Sequence, residues 1–368
     1  MANRKRTLLP IGIHLNAEAV HMVQLEQSES TVGVVSKAAK YFGPHAAVAE
    51  AAHDGHGSAG GPKDARYEEV REFIREKITL NGFRGHDAVI SLPAEDLVIQ
   101  HVRMAPMQPE ELIAALPVEL HGKLPFDTKD AVIRHIVAGT VSENNEAKQD
   151  VIALAAQREV VERHVATMAK LGLRIVGVGV EPCAMCYPYA FASSQAAAMA
   201  DGPPSLMAVY LGSETTHVAI VRGQDTTFVK GVEIGISQLV EAMAKARNIS
   251  VADAAALRNK WRESQSTGVS QEAVEAYNAG RRSLEPLIDE VESCMRYHAS
   301  LARGARVDRI VFLGPEARDR ALVRVVGAQL GVPCEVGDPL AGITEETGRR
   351  DAEPELAVAL GLSLFNAQ

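Results

Sequence analysis

The 368-residue chain has four cysteines, no excess of basic charge and no long apolar run. Each shortage excludes a class. Four cysteines in a chain of this length do not make a disulfide-stapled scaffold. A bilayer-spanning helix needs about 20 apolar residues in succession, and no such stretch occurs. A net charge of −9 argues against a broad nucleic-acid face, which needs clustered Lys and Arg. The start, MANRKRTLLP, is basic, but no signal-type apolar segment follows because Pro10 and His14 interrupt it. A cytoplasmic protein is expected. Cys183 and Cys186 form a C-x-x-C, yet no second such pair and no nearby His pair completes a metal set. They read as small buried residues on a helix that starts near Pro182.

What is present is a soluble globular composition, 46% hydrophobic and 23% charged, long enough for two domains or more. One phrase occurs twice: IGIHLNAEAVHMVQL at 11–25 and MAVYLGSETTHVAIV at 207–221. Each reads as an apolar strand, a short polar turn and a second apolar strand. Residues 31–40 continue the first hairpin as a strand. Residues 43–65, rich in Gly, Ala and His, have no usable period. His45, His53 and His56 within them suggest an ion site only superficially, since a flexible segment loses much entropy in converging on a metal. A flexible loop is expected there.

Apolar spacing predicts a helix over 67–80, ended by Asn81-Gly82, then a strand over 87–92. Residues 97–157 read as strand, helix (108–120), strand and strand, with an amphipathic helix over 158–171 and a strand over 174–180. His164 on that helix reads as a satisfied core histidine. DGPPS at 201–205 marks a boundary. The second half repeats the hairpin, adds a strand and sets Gly235 at a strand-to-helix turn. It then shows helices over 249–262 and 271–302, a strand over 308–313, a helix over 318–330, an edge strand over 333–336 and an apolar helix over 355–365. That last helix lacks the basic face an interfacial membrane helix needs, so packing into the core is expected.

The order and spacing of several stretches resemble the actin-like ATPase superfamily, in the branch that holds the FtsA and PilM families, with PilM nearer. The stretches are AVISLPAEDLVIQHVRM, EELIAALPVELHGKLPFDTKDAV, DVIALAAQREVVERHVATMAKLGLRIVGVGVEPCA, GVEIGISQLVEAMAKARNISVADAAALR, VDRIVFLGPEA and GVPCEVGDPLAGI. The resemblance implies an α/β fold of duplicated, ribonuclease H-like lobes with a strand–helix–strand–strand insert. The expected division is a first lobe of 1–94 with 181–205 and 351–368, an insert of 95–180, a second-lobe core of 206–235 with 305–350, and a helical subdomain of 236–304.

In that superfamily an Asp in the first strand of each hairpin holds the water shell of Mg²⁺. Here those places carry His14 and Tyr210, and a polar residue further along falls at His21. The glycine-rich adenosine loop becomes Leu313-Gly314-Pro315-Glu316-Ala317, where Pro315 deletes a donor and Glu316 adds a charge beside any polyanion. Losing both carboxylates removes much of the hold on Mg²⁺, an interaction worth roughly 4 kcal/mol gross per charge pair. The resemblance therefore implies a pseudo-ATPase with no catalytic residues, no metal and no firm cofactor. Weak Mg-free ATP binding would use backbone groups at Asn16, Ala17, Glu18, Gly212, Ser213, Glu214, Thr215, Thr216, Gly235 and Gly314.

It also implies a cytoplasmic scaffold at the inner membrane of a type IV pilus or type II secretion-like platform, holding the tail of a PilN-like single-span protein. Leu116, Leu120, Leu124, Pro125 and Phe126 are the expected contacts, and the same amphipathic pattern equally describes plain core of the insert. An active actin-like ATPase and an FtsA-like division protein are the alternatives.

Overall fold

The computed structural model describes residues 6–16, 19–28, 31–42, 62–80, 82–92, 94–143, 146–195, 203–264, 270–301, 306–343 and 351–365. The turn residues Ala17 and Glu18 lie outside them, as does the expected loop up to residue 61.

The first lobe opens with β1 (Thr7–Leu8), β2 (Ile11–Leu15), β3 (Ala19–Gln27) and β4 (Val32–Tyr41). Pro10, which has no N–H for a ladder, separates β1 from β2 along one edge of β3. Helix α1 (Pro62–Leu80) begins five residues earlier than the sequence suggests, with Pro62 at its first position, and leads to β5 (Asp87–Leu92).

The chain then leaves the lobe for β6 (Val98–Met104), α2 (Pro109–Glu119), β7 (Ala131–Glu143) and β8 (Glu146–Gln157). These form an antiparallel sheet in the order β6–β8–β7. One face carries Val151, Ala153 and Ala155 against α2. The other carries Ile152 and Leu154 into a core shared with the second lobe. Strict alternation along β8 lets one strand serve both layers.

Helix α3 (Arg158–Ala169) and β9 (Arg174–Val180) follow. β9 pairs in parallel with β5, so it belongs to the first lobe's sheet. The insert is thus shorter than the expected 95–180 and ends with β8. The reason is topological: α3 is the crossover that a parallel β5–β9 pair requires. His164 on α3 is buried, with Nε2 bonded to the Ser91 carbonyl at 3.0 Å.

Two short helices, α4 (Glu181–Ala184) and α5 (Tyr187–Gln195), lead to the second lobe. There β10 (Ser205–Leu211), β11 (Thr216–Arg222) and β12 (Asp225–Val232) form a meander, followed by α6 (Ile236–Arg247) and α7 (Val251–Ser264). The expected helix over 271–302 is two, α8 (Gln271–Ala279) and α9 (Glu285–Leu301). Gly280 closes the first by donating to the Ala276 carbonyl, and a short 3-10 turn separates them. Then come β13 (Arg309–Leu313), α10 (Arg320–Leu330) and β14 (Cys334–Val336).

The two lobes share one plan. The path β4–β3–β2–β5–β9 matches β12–β11–β10–β13–β14, three antiparallel strands followed by two parallel ones. The apolar helix α11 (Ala357–Leu364) returns to the first lobe and is buried on all sides. Glycines let it in: a Cβ on Gly12 would lie 1.9 Å from the Ala359 oxygen, and one on Gly361 1.8 Å from the Ala184 oxygen. No helix among the described residues is long and apolar enough to cross a membrane.

Candidate inter-lobe site

The duplicated hairpins place their first strands at the junction of the lobes. In the first, His14 on β2 is paired across the ladder with His21 on β3; in the second, Tyr210 on β10 is paired with His217 on β11. All four are buried. His14 stacks on His21 at 5.8 Å and meets the Tyr210 ring edge-on at 5.9 Å, while His21 meets Tyr41 edge-on at 5.6 Å.

Glu181, the first residue of α4, lies between the hairpins. Its Oε2 is 3.1 Å from His14 Nε2 and its Oε1 is 2.8 Å from His217 Nδ1. Burial alone pushes this carboxyl up, but the His217 charge and hydrogen bonds from both imidazoles outweigh that and hold it well below the carboxylate range. Burial likewise pulls His217 down, and the facing carboxylate more than restores it, leaving its pKa raised. His21 differs. Neither ring nitrogen has a hydrogen-bond partner, and burial with the adjacent His14 pushes it down to about 3.

The turns are closed on themselves. Asn16 Oδ1 accepts from the Ala19 N–H at 2.9 Å, and Asn16 Nδ2 reaches the Tyr210 hydroxyl at 3.5 Å. In the second hairpin Gly212 N–H donates to the Thr215 oxygen, and the Thr216 hydroxyl donates to the Ile234 oxygen at 2.8 Å. The first N–H groups of α6, those of Ile236 and Ser237, donate to the Gly212 and Ser213 carbonyls at 3.1 and 2.8 Å. A helix N-terminus facing a phosphate would leave such donors open. Gly235 makes the contact possible, since a Cβ there would sit 2.0 Å from the Ser213 oxygen. Glu214 points to solvent.

Gly314 holds a φ of 85° against the Tyr210 ring, and its N–H bonds the Pro354 oxygen. Glu316, expected to add a charge beside any polyanion, is buried and ion-paired with Arg258 of α7. Arg258 Nε also reaches Asp319 Oδ2 at 3.1 Å, Tyr277 donates to the same oxygen at 2.5 Å, and Arg262 bonds the Pro315 carbonyl at 2.9 Å. Arg318 makes a two-pronged pair with Glu355, its Nε at 2.9 Å. Two surface hollows, of about 540 and 630 Å³, lie along α9 with α10 and along α10 with β14, neither of them between the hairpins.

Rings stand at positions 14 and 210, where the resemblance implies carboxylates, the first α6 donors bond within the turn, and Arg258 ties down the Gly314 loop through Glu316. Among the described residues no group of three or more His, Cys, Asp or Glu is arranged to hold a metal.

The sequence pattern of the type IV pilus assembly protein PilM family matches residues 12–366. The chain belongs to that family. It is similar to a chain of the "PilM-PilN type IV pilus biogenesis complex" at 20% identity, with 98% of each chain covered and a TM-score of 0.73. It also resembles ethanolamine utilization protein EutJ from Carboxydothermus hydrogenoformans at 15% identity, covering 98% of this chain and 90% of that one, with a TM-score of 0.50. These likenesses bear on the fold: duplicated actin-like lobes with an insert.

Of the residues expected to hold a partner, Leu116, Leu120 and Leu124 are buried in the core of the insert, where they pack under β8. They offer a peptide no surface. Pro125 is exposed and Phe126 half-buried. The apolar groups that α2 does present are Ile113, 61% exposed, and Val118, 78% exposed. Sequence reasoning missed Glu181, His217 and Arg258. The signal for the first was the Glu-Pro pair after β9, and for the second the His that follows each hairpin turn, at positions 21 and 217.

Proposed function

We propose that this PilM family member is a non-hydrolysing scaffold of a type IV pilus or related assembly platform. It sits at the cytoplasmic face of the inner membrane by holding the tail of a PilN-like single-span protein. The observation that carries the non-hydrolysing part is the filled junction: His14 and Tyr210 stand at the metal positions, and Glu181 is bonded from both lobes. A divalent ion there would meet imidazole and phenol in place of a pair of carboxylates.

The partner part is supported by family membership and by the similar chain's presence in a complex with PilN. The insert exposes Ile113 and Val118 on α2, with Pro125 exposed and Phe126 half-buried after it. Exposed apolar side chains of this kind can anchor a short docking segment.

The experiment is a titration of the full chain with the partner's tail peptide, run beside a phosphate-release assay with ATP and Mg²⁺. Micromolar peptide binding with no release above a blank is expected. Magnesium-dependent turnover would refute the non-hydrolysing reading, and absence of peptide binding would refute the partner reading.

A further inference from the structure

We propose that the two lobes are latched together by one side chain, Glu181, so that their closure needs no bound ligand. The inference does not rest on the pilus reading. Glu181 begins α4, which follows the edge strand of the first lobe's sheet and packs against α11 of that lobe and against β11 and β12 of the second. Its two oxygens are divided between the lobes, Oε2 to His14 on β2 and Oε1 to His217 on β11.

The other polar groups around the latch have their own settlements. Tyr210 on β10 lies edge-on to His14 and within reach of Asn16. His21 on β3 stacks on His14 without a hydrogen bond. Further out, Arg318 and Glu355 neutralise each other, and Tyr41 on β4 donates to Glu355. His217 is thus the second-lobe group that faces Glu181, and the carboxylate raises its pKa.

A ligand that bridges two lobes departs when its concentration falls; a tethered carboxylate cannot be diluted away. Both imidazoles and the carboxylate are buried, so separating the lobes breaks the Glu181–His217 hydrogen bond and leaves the carboxylate short of a donor matched only in the closed state. The lobes are held at one angle with no ligand between them.

Hydrogen–deuterium exchange on the full chain tests this, with and without millimolar ATP and Mg²⁺. Glu181→Gln keeps the size and removes the charge. His217→Phe keeps the Glu181–His14 bond and removes only the arm that reaches the second lobe. In the wild type, the β2–β3 and β10–β11 hairpins are expected to exchange slowly without nucleotide and to change less than about twofold on adding it. Each variant is expected to raise exchange in both hairpins and α4 by about tenfold or more, while β13 and α10 hold. Wild-type hairpins protected only with magnesium and ATP would overturn the latch. So would variants that exchange like the wild type. Should Glu181→Gln fail to fold, His217→Phe decides the matter alone.

Discussion

Replacing His21 by Phe isolates the effect of a buried imidazole that bonds to nothing. In the folded protein burial and His14 push its pKa down to about 3, whereas an unfolded His titrates near 6.5. The sign follows from linkage. The folded state refuses a proton that the unfolded state accepts, so this group's contribution is complete above pH 6.5 and is lost as pH falls toward 3. At 1.36 kcal/mol per unit, the loss reaches roughly 5 kcal/mol at the acid end and about 2 kcal/mol by pH 5. Phe keeps the stack on His14 and the edge contact with Tyr41 while removing two unbonded ring nitrogens. The expected gain is about 1–2 kcal/mol at pH 7.5, widening by about 2 kcal/mol at pH 5. Urea unfolding followed by far-UV circular dichroism at the two pH values measures both numbers. The first-lobe transition should be read by its midpoint, since a two-lobed chain need not unfold in one step. A midpoint below wild type at pH 7.5, or a difference that does not widen on acidification, refutes the reasoning.

His217 acts in the opposite sense: its raised pKa makes its contribution complete below pH 6.5 and lost as pH rises through the folded value. Thermal melts taken as pH rises above 6.5 should therefore fall more steeply in the wild type than in His217→Gln. Arg258→Met leaves Asp319 buried without its cation and Glu316 with only Arg262 at 3.7 Å, and should lower stability by about 3–5 kcal/mol in denaturant titration. Ile113→Lys and Val118→Lys change side chains already in solvent, so midpoints should stay within about 0.5 kcal/mol while tail-peptide affinity drops.

The sequence made the architecture legible because hairpins, caps and apolar periods are local. The repeated strand–turn–strand phrase predicted two lobes, and the matching sheet paths show them. The insert's far boundary was not legible, because nothing within β9 says that its partner is β5, more than 80 residues earlier. The break at Gly280 was hidden by an apolar stripe that continues in phase on both sides. At the junction, the departures at His14 and Tyr210 stood out by residue type alone. Their partners did not: Glu181 lies 167 residues from His14, and Arg258 lies 58 residues from Glu316, so only the folded chain pairs them. Leu116 and Leu120 show the limit of amphipathic spacing, which marks a buried face without saying what buries it.

Helix α11 carries a consequence for biosynthesis. It lies in van der Waals contact with β2 across nearly the whole sequence, Gly12 against Ala359. Elements of the second lobe, by contrast, run continuously from β10 to β14. During translation the second lobe has all its strands in hand while the first still lacks the helix that seals it. The N-terminal hairpin therefore keeps one apolar face uncovered until α11 has been made.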